Sequence, residues 1–195
     1  MFVKICGLST REALAAAIDA GADAVGFVLA DSVRRVPPEV AAELAADVPS
    51  HVLKVAVMRH PSPSACRALF DAFTPDWLQT DVEDFAGIEL PAGCRALPVV
   101  RHDTDRERLP DRILFEGQKS GSGTTADWAA ARRLAGHCEL ILAGGLDASN
   151  IANAVARVDP WGVDVSSGVE SAPGIKSPQK ILEFVSRVRE LEQLR

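Results

Sequence analysis

Two side chains far apart in the chain, Cys6 and Asp127, are of the types that divide an acid–base reaction between them. Cys6 ends an apolar run from Phe2 that Gly7 breaks, and Asp127 opens a helical stretch just after Gly121-Ser122-Gly123. A thiolate accepts a proton and a carboxylic acid donates one, so the pair suits proton transfer at a polar substrate. Each also has a plain structural reading. A cysteine in an apolar strand is usually a small hydrophobe, and Thr124 with Asp127 has the spacing of a capping box.

A second constellation lies between Glu139 and Glu170, which reads strand, glycine turn, helix, strand, glycine turn. The first strand ends in Gly144-Gly145 and the second in Ser166-Ser167-Gly168. Small residues there leave backbone N–H groups bare, and bare N–H groups suit a phosphate. Ser32, Arg34 and Arg35 follow an earlier strand, and Gln79 and Asp81 follow another. An arginine so placed clamps an anionic ligand when one is bound. A thiol, a carboxylate and a phosphate site together point to acid–base chemistry on a sugar phosphate.

The elements that must position these groups alternate along the whole chain. Strands are expected over 2–6, 24–29, 52–58, 77–79, 96–101, 112–115, 140–142 and 162–165, each a short apolar run of the kind buried on both faces. Between them lie helical patterns, the first with Ser9 and Glu12 as its capping box. A weak helix is expected within 82–93, a helical turn within 102–108, and a helix from Asp127 to Leu134. A last helix follows Ser177-Pro178 with Ile181, Leu182, Val185, Val188 and Leu191 facing inward. Eight strand–helix units in alternation fit a (β/α)8 barrel better than an open doubly wound sheet, and no G-x-G-x-x-G follows the first strand. Such barrels carry their sites after the strand C-termini and often hold phosphate after strands seven and eight. Residues 1–195 are read as one small barrel domain with short loops.

Composition agrees. The 195 residues are 47% hydrophobic and 25% charged, an ordinary globular balance. A formal net charge of −6 without any Lys/Arg stripe argues against nucleic acid. No apolar stretch approaches a bilayer-spanning length, and MFVKIC reads as a strand rather than a signal peptide. Cys6, Cys66, Cys94 and Cys138 lack C-x-x-C spacing, which argues against a zinc site and for reduced thiols in a cytoplasm. Monomer and homodimer both stay open.

The motifs resemble a known family. Lys4-Ile5-Cys6-Gly7, Gly21-Ala22-Asp23-Ala24-Val25-Gly26-Phe27, Ser32-Val33-Arg34, Asp127-Trp128, Ala143-Gly144-Gly145-Leu146 and Asp164-Val165-Ser166-Ser167-Gly168-Val169-Glu170 are similar, in order, to those of phosphoribosylanthranilate isomerase. That resemblance implies an Amadori rearrangement of a small phosphosugar in tryptophan biosynthesis, without metal or cofactor. It implies Asp127 as the acid that opens the ribose ring and Cys6 as the base that removes the C2′ proton. Arg34 would hold the anthranilate part, with Gln79, Asp81, Gly121 and Gly123 around the substrate. Gly144, Gly145, Ser166, Ser167 and Gly168 would take the phosphate. A free cysteine is only about 3% thiolate at pH 7, and lowering its pKa to 7 takes about 2 kcal/mol, which a nearby arginine can supply. The chain departs from the family in its middle: Gln79-Thr80-Asp81-Val82 stands for Q-L-H-G, Val57-Met58-Arg59-His60 for V-F-V-N, and Glu116 near a usual aspartate. An unopposed Asp81 would repel an anionic substrate, so Arg101 is expected to neutralise it. Alternatives are a related phosphosugar isomerase with another substrate, or a phosphosugar-binding barrel without turnover.

Overall fold

Period-two alternation along each strand sorts the apolar residues into two cores. In the computed structural model, which describes residues 1–101, 109–117 and 127–193, eight parallel strands close on themselves in sequence order. They are β1 (Phe2–Cys6), β2 (Ala24–Val28), β3 (Leu53–Val57), β4 (Trp77–Asp81), β5 (Arg95–Val100), β6 (Arg112–Phe115), β7 (Glu139–Leu142) and β8 (Gly162–Val165). β1 pairs with both β2 and β8, so no edge is left among them. β3 and β4 stand across the ring from β7 and β8.

On β1, Val3 and Ile5 point outward and pack against the helices, while Phe2 joins Ala24, Val55, Trp77, Leu97, Leu114 and Ile141 inside the ring. The inner core stops short of the strand C-termini, where polar residues replace it. At the opposite end Phe2 stacks on Trp77 and Trp161, with ring centroids 5.3 and 4.8 Å away, and the Arg112 guanidinium lies over both tryptophans at 4.6 and 4.7 Å. That end is filled and stapled, which leaves the carboxyl end for a site.

The outer ring holds α1 (Arg11–Asp19), α2 (Pro38–Ala45), α3 (Pro63–Ala72), α4 (Trp128–Ala135), α5 (Ile151–Val158) and α6 (Pro178–Gln193). Their apolar stripes face the barrel, as Ile151, Ala154, Val155 and Val158 do on α5. No helix among the described residues is long and apolar enough to cross a membrane.

Several sequence expectations shift. The cap of α1 is Thr10, whose hydroxyl accepts from Ala13 N at 3.2 Å, rather than Ser9. β4 runs two residues further than expected and is buried throughout, because its polar end points into the barrel mouth. The weak helix after it is a 3₁₀ turn, Val82–Gly87. On α6, Ile181, Phe184, Val185 and Val188 make the buried face, and Leu182 is 53% exposed because it lies off that stripe. A small antiparallel hairpin, β9 (Glu170–Ala172) with β10 (Ile175–Lys176), follows β8 and was not expected. The turn expected within 102–108 lies outside the described residues.

Phe184 is fully buried in the outer core. Phe184→Ala should cost ~3–5 kcal/mol of stability by the lost transfer and the cavity it leaves, read as a lower urea midpoint at unchanged slope.

Candidate active site

The carboxyl ends of the strands open into a cavity of about 170 Å3, to which each of the eight strands, or a residue shortly after it, contributes. Cys6 is buried on its wall at the end of β1. Two residues earlier on the same inward face, Lys4 is fully buried and its Nζ donates to Asp164 Oδ1 on β8 at 2.7 Å. Lys4 and Asp164 are register partners across the β1–β8 seam, so barrel closure makes the pair.

Burial pushes the Cys6 thiol up, and Asp164 adds to this; Lys4 and Lys176 oppose it, and the net direction is above the ordinary 9.0. The principal cations acting on the thiol are thus two lysines rather than the arginine expected from the sequence. Burial pulls Lys4 down, but Asp164 and Cys6 together outweigh it, and the ammonium is held above its ordinary value.

Gly144, Gly145, Ser166 and Ser167 line the same cavity. Gly144 and Gly145 have φ of 90° and 65°, a left-handed backbone that side chains resist, and this turns the chain sharply after β7. Asn150 fixes the turn: its Nδ2 donates to Gly145 O at 2.7 Å while its Oδ1 accepts from Asp147 N at 3.0 Å. Gly168 is not on the wall. It packs so closely that a Cβ there would lie 1.9 Å from Leu146 O, so it docks the β8 loop on the β7 loop. The amides of Gly145, Ser167 and Gly168 donate to no acceptor among the described residues.

Behind this loop sits Glu170. It accepts from Arg34 Nε at 2.7 Å and Nη2 at 2.9 Å, from Lys176 Nζ at 2.8 Å and from Gly174 N at 3.2 Å. Lys176 also donates to Ser166 O at 2.9 Å and Ser166 Oγ at 3.1 Å. Burial would raise the Glu170 carboxyl, but Arg34 and Lys176 win and bring it from 4.5 to about 2. One carboxylate therefore ties Arg34, from the loop after β2, to the loop after β8.

The other half of the mouth carries a second network. Asp81, buried at the end of β4, forms an ion pair with Arg101 through Oδ1, without the alignment of a hydrogen bond. Its Oδ2 is 3.3 Å from His60 Nε2. Arg101 also donates to Glu116 Oε1 at 2.7 Å. The expected Asp81–Arg101 pairing is present, and Glu116 shares the same arginine. Gln79 lines the cavity with Oε1 buried and without a protein partner among the described residues.

Asp127 does not line the cavity. It is exposed and is itself the N-cap of α4, its Oδ1 accepting from Ala129 N at 3.0 Å and Ala130 N at 3.1 Å, so it is the cap residue rather than the third residue of a capping box. Following β6, it belongs to the face on which Cys6 opens. Gly121, Gly123 and Thr124 lie outside the described residues. The sequence motifs include Lys4, Asp164 and Glu170, and Lys176 falls at the same phosphate end, but the sequence assigns none of the four a role of its own. The available signal was a lysine in FVKIC and an aspartate in GVDV, charges inside runs otherwise apolar enough to be core strands.

A carboxylate held below its ordinary value stabilises the fold above that value and ceases to do so as pH falls through the depressed one. For Glu170 the window runs from 4.5 down to about 2. Stability measured by urea unfolding should fall with acidity across that window, and Glu170→Gln should flatten this part of the profile while lowering stability at neutral pH.

Comparison with known proteins places this arrangement. The family model described as N-(5'-phosphoribosyl)anthranilate (PRA) isomerase matches residues 3–187. The N-(5'-phosphoribosyl)anthranilate isomerase of Azorhizobium caulinodans is 41% identical over 211 residues, covering 97% of this chain and 92% of its own. That of Streptococcus gordonii is 41% identical over 192 residues, covering 96% and 97%. Among solved structures, the phosphoribosyl anthranilate isomerase of Thermus thermophilus superposes with a TM-score of 0.86 at 30% identity, covering 98% of this chain and all of that one. An isomerase solved in complex with reduced 1-(o-carboxyphenylamino)-1-deoxyribulose 5-phosphate gives a TM-score of 0.78 at 29% identity, covering 97% and 99%. On a family match that runs almost from end to end and relatives this similar over nearly their full length, the chain belongs to the N-(5'-phosphoribosyl)anthranilate isomerase family.

Proposed function

We infer that the protein converts N-(5'-phosphoribosyl)anthranilate to 1-(2-carboxyphenylamino)-1-deoxyribulose 5-phosphate, an aldose–ketose isomerisation in tryptophan biosynthesis. The observation that carries this is a buried thiol over a lysine–aspartate pair, sharing one cavity with two strand-end loops whose amides are unengaged. Those amides, of Gly145 on one side and of Ser167 and Gly168 on the other, suit the phosphate of the ribose; Gly144 and Ser166 line the same cavity, and Gly168 also holds the two loops together.

In the proposed chemistry Asp127 is the acid. It protonates the furanose oxygen as the C1′–O4′ bond breaks, and the nitrogen lone pair forms the C1′=N bond of the Schiff base. Cys6 as thiolate then takes the C2′ proton. The electrons of that C–H bond form C1′=C2′, and the C=N electrons return to nitrogen, giving an enolamine. Loss of the C2′ hydroxyl proton and protonation at C1′ complete the ketone. Lys4 beneath the thiol opposes the cost of burying the thiolate. Gln79, with its oxygen unpartnered and facing the cavity, suits a sugar hydroxyl, since a buried acceptor left unpaired is costly. Glu170 occupies the Nε and Nη2 edge of Arg34, which leaves the Nη1 corner for the anthranilate part. Asp81 is a neutralised wall residue rather than a reactant, because Arg101 opposes it. Four free thiols fit a reducing, cytoplasmic setting.

Cys6→Ala should keep the fold and lower kcat by roughly 10²- to 10⁴-fold, the range for a lost general base, followed by the loss of substrate fluorescence. A near-normal rate in the folded variant would remove Cys6 from the chemistry. The thiol must lose its proton before it can act, and burial raises it, so kcat/KM should still be climbing above pH 8. Asp127→Asn should abolish ring opening while product still binds; equal losses of product affinity and turnover would make Asp127 a positioning group.

A further inference from the structure

The hairpin after β8 returns one lysine to the loop it has just left. Glu170 on β9 and Lys176 on β10 are register partners, and the Lys176 ammonium lies against Ser166, the residue that follows β8. Its Nζ donates to Glu170 Oε1 at 2.8 Å, to Ser166 O at 2.9 Å and to Ser166 Oγ at 3.1 Å. An ammonium has three donors, so all are engaged, and the side chain is only 1% exposed. Lys176 is not on the cavity wall, whereas Ser166 and Ser167 are. Any influence it has on a phosphate contact therefore passes through Ser166.

Resting on the isomerase reading above, we propose that Lys176 is a positioning residue for the substrate phosphate, holding the Ser166 carbonyl so that the Ser167 N–H is presented to the cavity. In a trans peptide the carbonyl and the following N–H share one plane and point opposite ways. The Ser166 carbonyl is drawn toward Lys176 behind the loop, so the Ser167 N–H points away from the lysine. That amide donates to no acceptor among the described residues. Regular structure does not set this peptide plane. Ser166 has φ of −127° and ψ of −79°, angles of neither helix nor strand, and the other donor to its carbonyl, Val169 N, stands at 3.4 Å. The anchor also fixes a spacing. A Cβ on Gly7, which follows Cys6, would lie 3.2 Å from Ser166 Oγ, so the loop that Lys176 holds packs on the residue next to the thiol. Gly145, in the facing loop, is held separately through its own carbonyl by Asn150.

The test is amide NMR of the isotope-labelled full chain, titrated with inorganic phosphate, for wild type and Lys176→Met, with turnover of phosphoribosylanthranilate by wild type measured alongside. In wild type the Gly145 and Ser167 amides should shift together and saturate with one Kd. In Lys176→Met, with folding checked by its urea transition, Gly145 should still respond while Ser167 loses most of its shift. Phosphate should then bind roughly 10- to 100-fold more weakly, the range for a lost hydrogen bond to a charged group. A Ser167 response and a Kd both unchanged in the variant overturn the proposal. Equal loss at Gly145 and Ser167 also overturns it, because that is a general disturbance of the mouth. A Ser167 amide that ignores phosphate in wild type overturns it whether or not the variant folds. If wild type turns over phosphoribosylanthranilate with Ser167 silent, the isomerase reading stands and only the role of Lys176 falls. If Ser167 responds as expected without turnover, the isomerase reading falls and Lys176 remains a positioning residue for a bound phosphate.

Discussion

The fully buried Lys4 ammonium and its partner Asp164 set the terms for everything above them. An isolated charge inside a barrel is too costly to keep, and a pair is tolerated only with close geometry. Here β1 and β8 bring the two residues opposite one another at the seam where the sheet closes. A one-residue slip would turn Lys4 outward into the apolar layer beneath the helices and leave Asp164 alone inside. The pair thus costs desolvation and in return fixes register, and it places positive charge two residues beneath the thiol that terminates β1. Cys6 is at once buried enough to be protected from bulk water and close enough to a cation for its thiolate to be reachable.

A second consequence of that depth is that charges near the mouth act at short range through little water. Nearly all of them are spent on one another. Glu170, drawn down to about 2, joins Arg34 to the hairpin behind the loops after β7 and β8, and Lys176 passes the same tie to Ser166. Asp81 and Glu116 are joined through Arg101. A wall so balanced exerts little net pull on an anion from a distance, so recognition must come from donors placed at the ends of the substrate. On the proposed reading, backbone amides after β7 and β8 serve one such end.

Most of the scaffold was legible because parallel strands buried on both faces leave continuous apolar runs, and the eight runs are separated by helical stripes. The errors come from places where a single residue serves the interior. β4 looked short because Thr80 and Asp81 break the apolar pattern, yet the strand continues and carries Asp81 into the mouth, while Thr80 turns outward and donates to Asp84. Leu182 looked inward by composition, but Phe184 takes that stripe on α6. At the site, Cys6, Gln79, Asp81 and the two glycine-ended loops come together as their positions after strands imply. Lys4, Glu170 and Lys176 did not stand out because their partners are 160, 136 and 6 residues away, and only closure of the barrel and the hairpin brings them into contact. Asp127 was readable as a helix start but not as the cap itself, since capping is decided by the local backbone angle.

The two halves of the mouth are built in different ways. The β7, β8, β1 and β2 side is cross-braced: Asn150 holds the Gly145 carbonyl, Gly168 has no room for a side chain, and Glu170 accepts from Arg34, Gly174 and Lys176 at once. A change at any of these moves the loops after β7 and β8 relative to Cys6, and a misplacement of about 1 Å is already costly where reacting groups must be aligned. On the β3 to β6 side the requirement is chiefly one of charge. Asp81 is acceptable there because Arg101 accompanies it, and Glu116 because the same guanidinium reaches it. The charges of that half thus stand as one compensated set, while Cys6 and the loops after β7 and β8 are held by the braced half.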